Sequence, residues 1–200
     1  MTGPRYVYAV CRPFGAALQA QLRGVAGAPP KLLTHHGLVA VVSVLPEPDA
    51  DRLTMTARAH HAVVDGLTAV TTPLPLRPGT VFRDDSGVRV MMEEREGEFR
   101  RALDRFDGRV EWSVKVYPGE STEVFAGRLH RALSRQAEDH RLYASPNALE
   151  ASYLVPREDS EQFVELVDRT NGDGGGTRAE LTGPWAVYSF FGGTGRGPGS

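Results

Sequence analysis

The side chains that could do chemistry are few, and their spacing argues against most of it. Histidines occur as two adjacent pairs, His35-His36 and His60-His61, with His130 and His140 alone. A transition-metal site needs imidazoles, thiolates or carboxylates converging on one point. Neighbouring residues on a strand or helix point in different directions, so neither pair is expected to chelate one ion. A composite site from His35 and His60 has no thiolate or carboxylate spacing beside it. The glycines from Gly172 to Gly176 resemble a phosphate loop in composition only. Such a loop follows a strand and opens a helix, so that backbone N–H groups and the helix dipole face the phosphate. Here the glycines follow a helical pattern and precede a strand. Adjacent acids at Asp84-Asp85 and Glu93-Glu94 sit in a charged stretch and read as a solvated face. No Gly-x-Ser-x-Gly elbow is present, and Cys11 lies in an apolar run without activating neighbours. The residues predict no catalytic group, no metal and no cofactor, and hence no enzyme.

Composition narrows the field in the same direction. Two hundred residues with 23 basic and 25 acidic side chains give a net charge of −2, which supplies no electrostatic footprint for nucleic acid. A single cysteine cannot form an internal disulfide and fits a reducing cytoplasm. No apolar run approaches the roughly 18 residues of a membrane span, and the N-terminus lacks the layout of a secretory signal. The expectation is a soluble cytoplasmic protein without a membrane span.

The elements that would position these residues are legible from periodicity. Arg5 to Cys11 reads as a strand, Phe14 to Leu22 as a short helix, and Lys31 to Leu45 as a hairpin turning at His36-Gly37. Its second arm is apolar nearly throughout, as a central strand should be. Asp49 or Asp51 caps a helix whose stripe is Leu53, Ala57, His60, Val64 and Leu67. Strands at Thr72 to Leu76 and Thr80 to Phe82 complete a split βαβ, ferredoxin-like order. Asp84 to Phe106 carries Val88, Met92, Phe99, Leu103 and Phe106 at helical spacing, with Gly97 weakening an unbroken helix. In Arg109 to Tyr117, Val110, Trp112, Val114 and Val116 alternate with Glu111, Ser113 and Lys115. Glu111 and Lys115 are expected to pair across strands rather than with each other. A helix from Ser121 to about Leu142, a strand from Ala148 to Val155 and a helix to Thr170 follow. In the last stretch, Leu181 to Phe190, the Gly183-Pro184 breaker is expected to precede a final aromatic strand.

Several of these stretches resemble the gas vesicle protein F/L family. The opening YVYAV is similar to the family's first strand, and His60 before Val63-Val64 to its His-x-x-Val-aliphatic helix. PLPLRPGTVF (Pro73 to Phe82), GRVEWSVKV (Gly108 to Val116), ASYLV (Ala151 to Val155) and LTGPWAVYSF (Leu181 to Phe190) match further boxes in order. Pro78 stands where the family usually has Phe, and Ala186 and Val187 where it often has prolines.

The resemblance implies an α+β chain of two modified ferredoxin-like (split βαβ) domains. The residue patterns place them at 1–82 and 109–191, with a charged helical connector at 83–108 and a Gly-rich tail at 192–200 that composition predicts to be disordered. It also implies a non-enzymatic accessory role, supporting nucleation or assembly of gas vesicles through binding of the hydrophobic shell protein and other accessory proteins. A small-ligand binder or enzyme on the same scaffold is the alternative. Arg77, Glu111, Lys115, Trp185 and Tyr188 are the residues chosen for partner contact. Otherwise the first three form an ion-pair network between domains and Trp185 packs in the domain interface, where truncation to Ala would cost roughly 3–5 kcal/mol.

Overall fold

A computed structural model describes residues 3–25, 27–45, 52–119, 122–172 and 177–192. The expected caps at Asp49, Asp51 and Ser121, most of the glycine loop and most of the tail lie outside them. The chain divides into two units, Met1–Asp107 and Gly108–Ser200, each a mixed α/β fold on one antiparallel sheet.

In the first unit the order is β1 (Arg5–Cys11), α1 (Ala16–Gln21), β2 (Lys31–His35), β3 (Leu38–Val44), α2 (Arg52–Thr68) and β4 (Leu74–Pro75). The strands lie in the spatial order β2-β3-β1-β4, and β5 (Val81–Phe82) pairs with the other end of β1. The most continuous apolar runs, in β1 and β3, occupy the middle of the sheet as expected, and every residue of β1 is buried. The turn between β2 and β3 takes positive φ at both central residues, 45° at His36 and 79° at Gly37. That geometry matches the twist of a two-residue hairpin. On α2, His60, Val64 and Leu67 are fully buried along the stripe the spacing predicts. The expected strand over Thr72 to Leu76 shortens to Leu74–Pro75, flanked and interrupted by Pro73 and Pro75, which lack ladder donors, although the Leu76 N–H still donates to the Tyr8 carbonyl at 2.9 Å.

The segment 83–108 forms two helices, α3 (Asp85–Glu94) and α4 (Glu96–Phe106), counted with the first unit. Asp84 caps α3 by accepting from the Gly87 N–H at 3.0 Å. The break falls at Arg95, whose φ of −109° and ψ of 11° leave the helical region, two residues before Gly97. Val88, Met92, Phe99, Leu103 and Phe106 are all buried.

The second unit runs β6 (Arg109–Val116), α5 (Thr122–Gln136), β7 (Asp139–Leu142), β8 (Leu149–Pro156), a 3-10 turn, α6 (Ser160–Gly172) and β9 (Ala179–Trp185). Its spatial order, β7-β8-β6-β9, repeats the β2-β3-β1-β4 path of the first unit, without a counterpart of β5. Val110, Trp112, Val114 and Val116 enter one core with Phe125, Leu129 and Leu133 of α5, Phe163 and Val167 of α6, and Tyr153 of β8. Burying side chains of this size stabilises by roughly 1.5–3 kcal/mol each.

Two expectations fail here. The helix from Ser121 stops at Gln136, and Asp139–Leu142 forms an edge strand instead. Asp-His-Arg-Leu is charged and largely exposed, so it carries no apolar alternation to announce a strand, and its pairing with β8 decides the matter. The final stretch is also reversed. The strand comes first and runs through Gly183-Pro184, while residues 186–191 turn away from it. Pro184 is tolerated because β9 is an edge strand and the pair lies in a bulge: Glu111 faces Trp185 while Ser113 faces Thr182.

Candidate functional site

The polar residues of the family-like boxes converge on two buried knots, one in each unit. In the first, three separated segments meet at the Tyr6 hydroxyl. The Gly79 N–H donates to it at 3.1 Å, and it lies 3.1 Å from His60 Nδ1. The hydroxyl that accepts from Gly79 still has its own proton to donate, so Nδ1 is the acceptor in the neutral tautomer that carries its proton on Nε2. Burial is the main cause that pushes His60 down to about 4, with the neighbouring His61 adding to it and the Leu76 backbone opposing. The ring is therefore neutral at pH 7, and it makes an edge contact with Tyr6, centroids 5.8 Å apart. Beside it the Tyr8 hydroxyl donates to Ser43 Oγ at 2.9 Å and accepts from the Val25 N–H at 2.7 Å. Strand, helix and the turn after β4 are thus tied at one point.

In the second knot, Glu111 is fully buried on the face of β6 opposite the apolar core. Its carboxylate accepts from the Ser189 N–H at 2.8 Å, the Ser189 hydroxyl at 2.6 Å and the Ser152 hydroxyl at 2.8 Å. The Tyr143 hydroxyl donates in turn to Ser189 Oγ. Burial raises the carboxyl above its ordinary value; the Ser189 and Ser152 hydrogen bonds and the charge of Arg141 work against that rise. With three donors aimed at it, the carboxylate orients chain and holds the segment after β9 against the sheet. Tyr188 and Phe190 are buried there with Ser189.

The bulge that brings this segment round depends on Gly183, whose φ is 137°. A Cβ there would lie 2.9 Å from the Glu111 carbonyl oxygen and 2.9 Å from Trp112 Cε3. Only glycine allows that approach. At the other end of β9, the Asn171 side chain exchanges two hydrogen bonds with the Ala179 backbone, at 3.1 and 2.7 Å.

The residues singled out in the sequence are scattered among these environments. Glu111 and Tyr188 are buried, Lys115 and Trp185 half-buried, and Arg77 exposed. Lys115 stands in register between Glu150 on β8 and Glu180 on β9. The Trp185 indole N–H lies 3.4 Å from Thr182 Oγ1. Ser152, Ser189, Tyr143 and Tyr6 escaped the sequence reading because a serine or tyrosine carries no periodic signal. The one clue was an acid at a position flanked by valine and tryptophan.

One further cluster corrects the reading of the histidine pairs. His35 and His36 do not diverge: with His36 left-handed, the two rings lie with centroids 4.2 Å apart. Both reach Glu96 Oε2, His35 Nε2 at 3.2 Å and His36 Nδ1 at 3.0 Å. Among the described residues these three side chains are the group of potential metal ligands that the fold brings together.

Comparison with known proteins places this arrangement. The family model described as gas vesicle synthesis protein GvpL/GvpF matches residues 4–124 and 119–192. Gas vesicle protein L of Streptomyces sp. (strain CB03234) is 42% identical, covering 94% of this chain and 92% of that protein. Gas vesicle protein F of Haloferax mediterranei is 25% identical over 86% of this chain and 87% of its own length. The crystal structure of GvpF from Anabaena sp. PCC7120 shares the fold with a TM-score of 0.81 at 18% identity, over 98% of both chains. With a family model spanning both units and a full-length relative above 40% identity, the chain belongs to the gas vesicle GvpL/GvpF family.

Proposed function

We propose that this protein is a non-enzymatic accessory factor that supports nucleation or assembly of gas vesicles in the cytoplasm by binding the hydrophobic shell protein, alongside other accessory proteins. The observation that carries the reading is family membership over both units. The two knots support it, because the polar groups of the boxes are engaged with one another rather than converging on a cleft. Among the described residues no helix is long and apolar enough to cross a membrane. Both units are read as modified ferredoxin-like folds, since each runs β-α-β-β-α-β in the spatial order 2-3-1-4. A shell subunit with exposed apolar surface or strand edges needs a partner that covers them during assembly. Arg77, Lys115 and Trp185 retain exposed surface and are proposed to contribute to partner contact, with Glu111 and Tyr188 holding the neighbouring backbone in place.

The test is co-expression of the untagged chain with tagged shell protein, followed by capture and washing. Retention of the chain, together with loss of buoyant vesicles on deleting its gene, is the expected outcome. Vesicles that form normally in the deletion strain would refute the reading.

A further inference from the structure

We propose that His35, His36 and Glu96 form a binding site for a borderline divalent transition metal of the zinc class. This goes beyond the assembly role and does not depend on it. The three ligand atoms lie within 4.8 Å of one another. Two of the three edges, at 3.2 and 3.0 Å, are close to the roughly 3.4 Å separating ligands around a tetrahedral ion with bonds near 2.1 Å. Two imidazoles and one carboxylate suit zinc, nickel or copper, and offer too few oxygens for calcium or magnesium.

The site is built from distant parts of the first unit. The hairpin turn supplies both histidines, and the left-handed φ of 45° at His36 turns its ring beside that of His35. Glu96 comes from the first turn of α4, some sixty residues on. Its second oxygen is held by Arg100, whose Nε donates to Oε1 at 2.9 Å and whose guanidinium also donates to the His36 carbonyl. Such outer contacts orient a ligating carboxylate and fix the turn carrying a ligand. They also keep the arginine charge on the far side of the carboxylate, leaving Oε2 to the two rings. His35 is 16% exposed, Glu96 28% and His36 71%, so the open side admits solvent as a fourth ligand. The competing account is a pair of ordinary histidine–carboxylate hydrogen bonds that pin the turn to α4.

The full-length, tag-free, metal-stripped protein separates the two accounts. Co2+ serves as the spectroscopic probe and Zn2+ as the calorimetric titrant, at pH 7.5. One equivalent is expected to bind, with Zn2+ displacing Co2+ and raising the melting temperature, and with Mg2+ producing no heat. His36→Asn, which tolerates the left-handed turn, and Glu96→Gln should each weaken binding at least ~10-fold, the lower end of what loss of an outer contact costs. Circular dichroism checks that both variants fold. Absence of saturable Zn2+ binding would overturn the proposal. So would binding unchanged in both folded variants, which would place the ion elsewhere, for instance near His130 and His140.

Discussion

Replacing Glu111 by alanine tests whether the second knot holds the end of the chain in place. The substitution removes an acceptor of three hydrogen bonds from a fully buried position. The hydroxyls have somewhere to turn, since Ser189 Oγ and Ser152 Oγ are 3.2 Å apart and Tyr143 reaches both. The Ser189 N–H has no such freedom, and a stranded buried donor costs about 1–3 kcal/mol. Losing one buried methylene, Cγ, adds about 0.8 kcal/mol, while removing a buried charge gives some of that back. The net expectation is a destabilisation of about 1–3 kcal/mol. In Glu111→Gln the amide oxygen can keep the Ser189 N–H, and the rotatable hydroxyls can accept from its NH2, so about 1 kcal/mol or less is expected. Urea unfolding followed by tryptophan fluorescence is the appropriate assay. Both tryptophans, Trp112 and Trp185, lie in the second unit, so the signal reports that unit alone. The pH dependence supplies a second check. Because burial raises the Glu111 carboxyl above 4.5, the folded unit holds that proton more tightly than the unfolded chain. The contribution is therefore present at low pH and is lost as pH rises through the folded value. Relative to Glu111→Gln, the unsubstituted protein should be more stable at pH 5 than at pH 8. An alanine variant within 0.5 kcal/mol of the parent, a glutamine variant costing as much as alanine, or the opposite pH trend would refute the reasoning.

Gly183→Ala places a Cβ against the Glu111 carbonyl and the Trp112 ring at a φ of 137°, and should cost at least about 1–3 kcal/mol in the same fluorescence assay. For His60, the fall from 6.5 to about 4 predicts a contribution complete above pH 6.5 and lost as pH falls towards 4, on the order of 3 kcal/mol in all. Thermal melts by far-ultraviolet circular dichroism should show that slope in the parent and a flatter one in His60→Gln. Trp185→Ala removes a ring that is half-buried rather than sealed, so about 2–3 kcal/mol is expected, below the usual core range. An unchanged melting temperature would leave shell-protein capture as the readout of its role.

Legibility in the sequence followed the strength of the periodic signal. β6 was readable residue by residue, because alternation of valine and tryptophan with Glu111, Ser113 and Lys115 leaves one register in which the apolar face is buried. β7 was unreadable for the converse reason: a charged edge strand has no buried face of its own, and only β8 makes it a strand. The last stretch carried a breaker and three large rings in view, yet the breaker was placed on the wrong side of the strand. A bulge lets an edge strand absorb Gly183-Pro184, and bulges depend on the partner strand. The histidine pair failed for a local reason. Period-two logic holds for residues within a strand, and His36 is the first residue of a turn. The sites failed most broadly, because Tyr6 with His60 and Glu111 with Ser189 are joined across 54 and 78 residues.

The two knots change how substitutions can accumulate in such a chain. Tyr6, His60 and the backbone at Gly79 are one hydrogen-bonded unit, and Glu111, Ser152 and Ser189 are another. Removing an acceptor leaves a buried donor stranded, and since the donor at Ser189 is its backbone N–H, Glu111 should give way only to another acceptor such as Gln, whatever side chain stands at 189. The boxes scattered along the primary structure are then two inherited characters rather than six. A chimera that exchanges one box between relatives should fail where exchange of a whole knot succeeds.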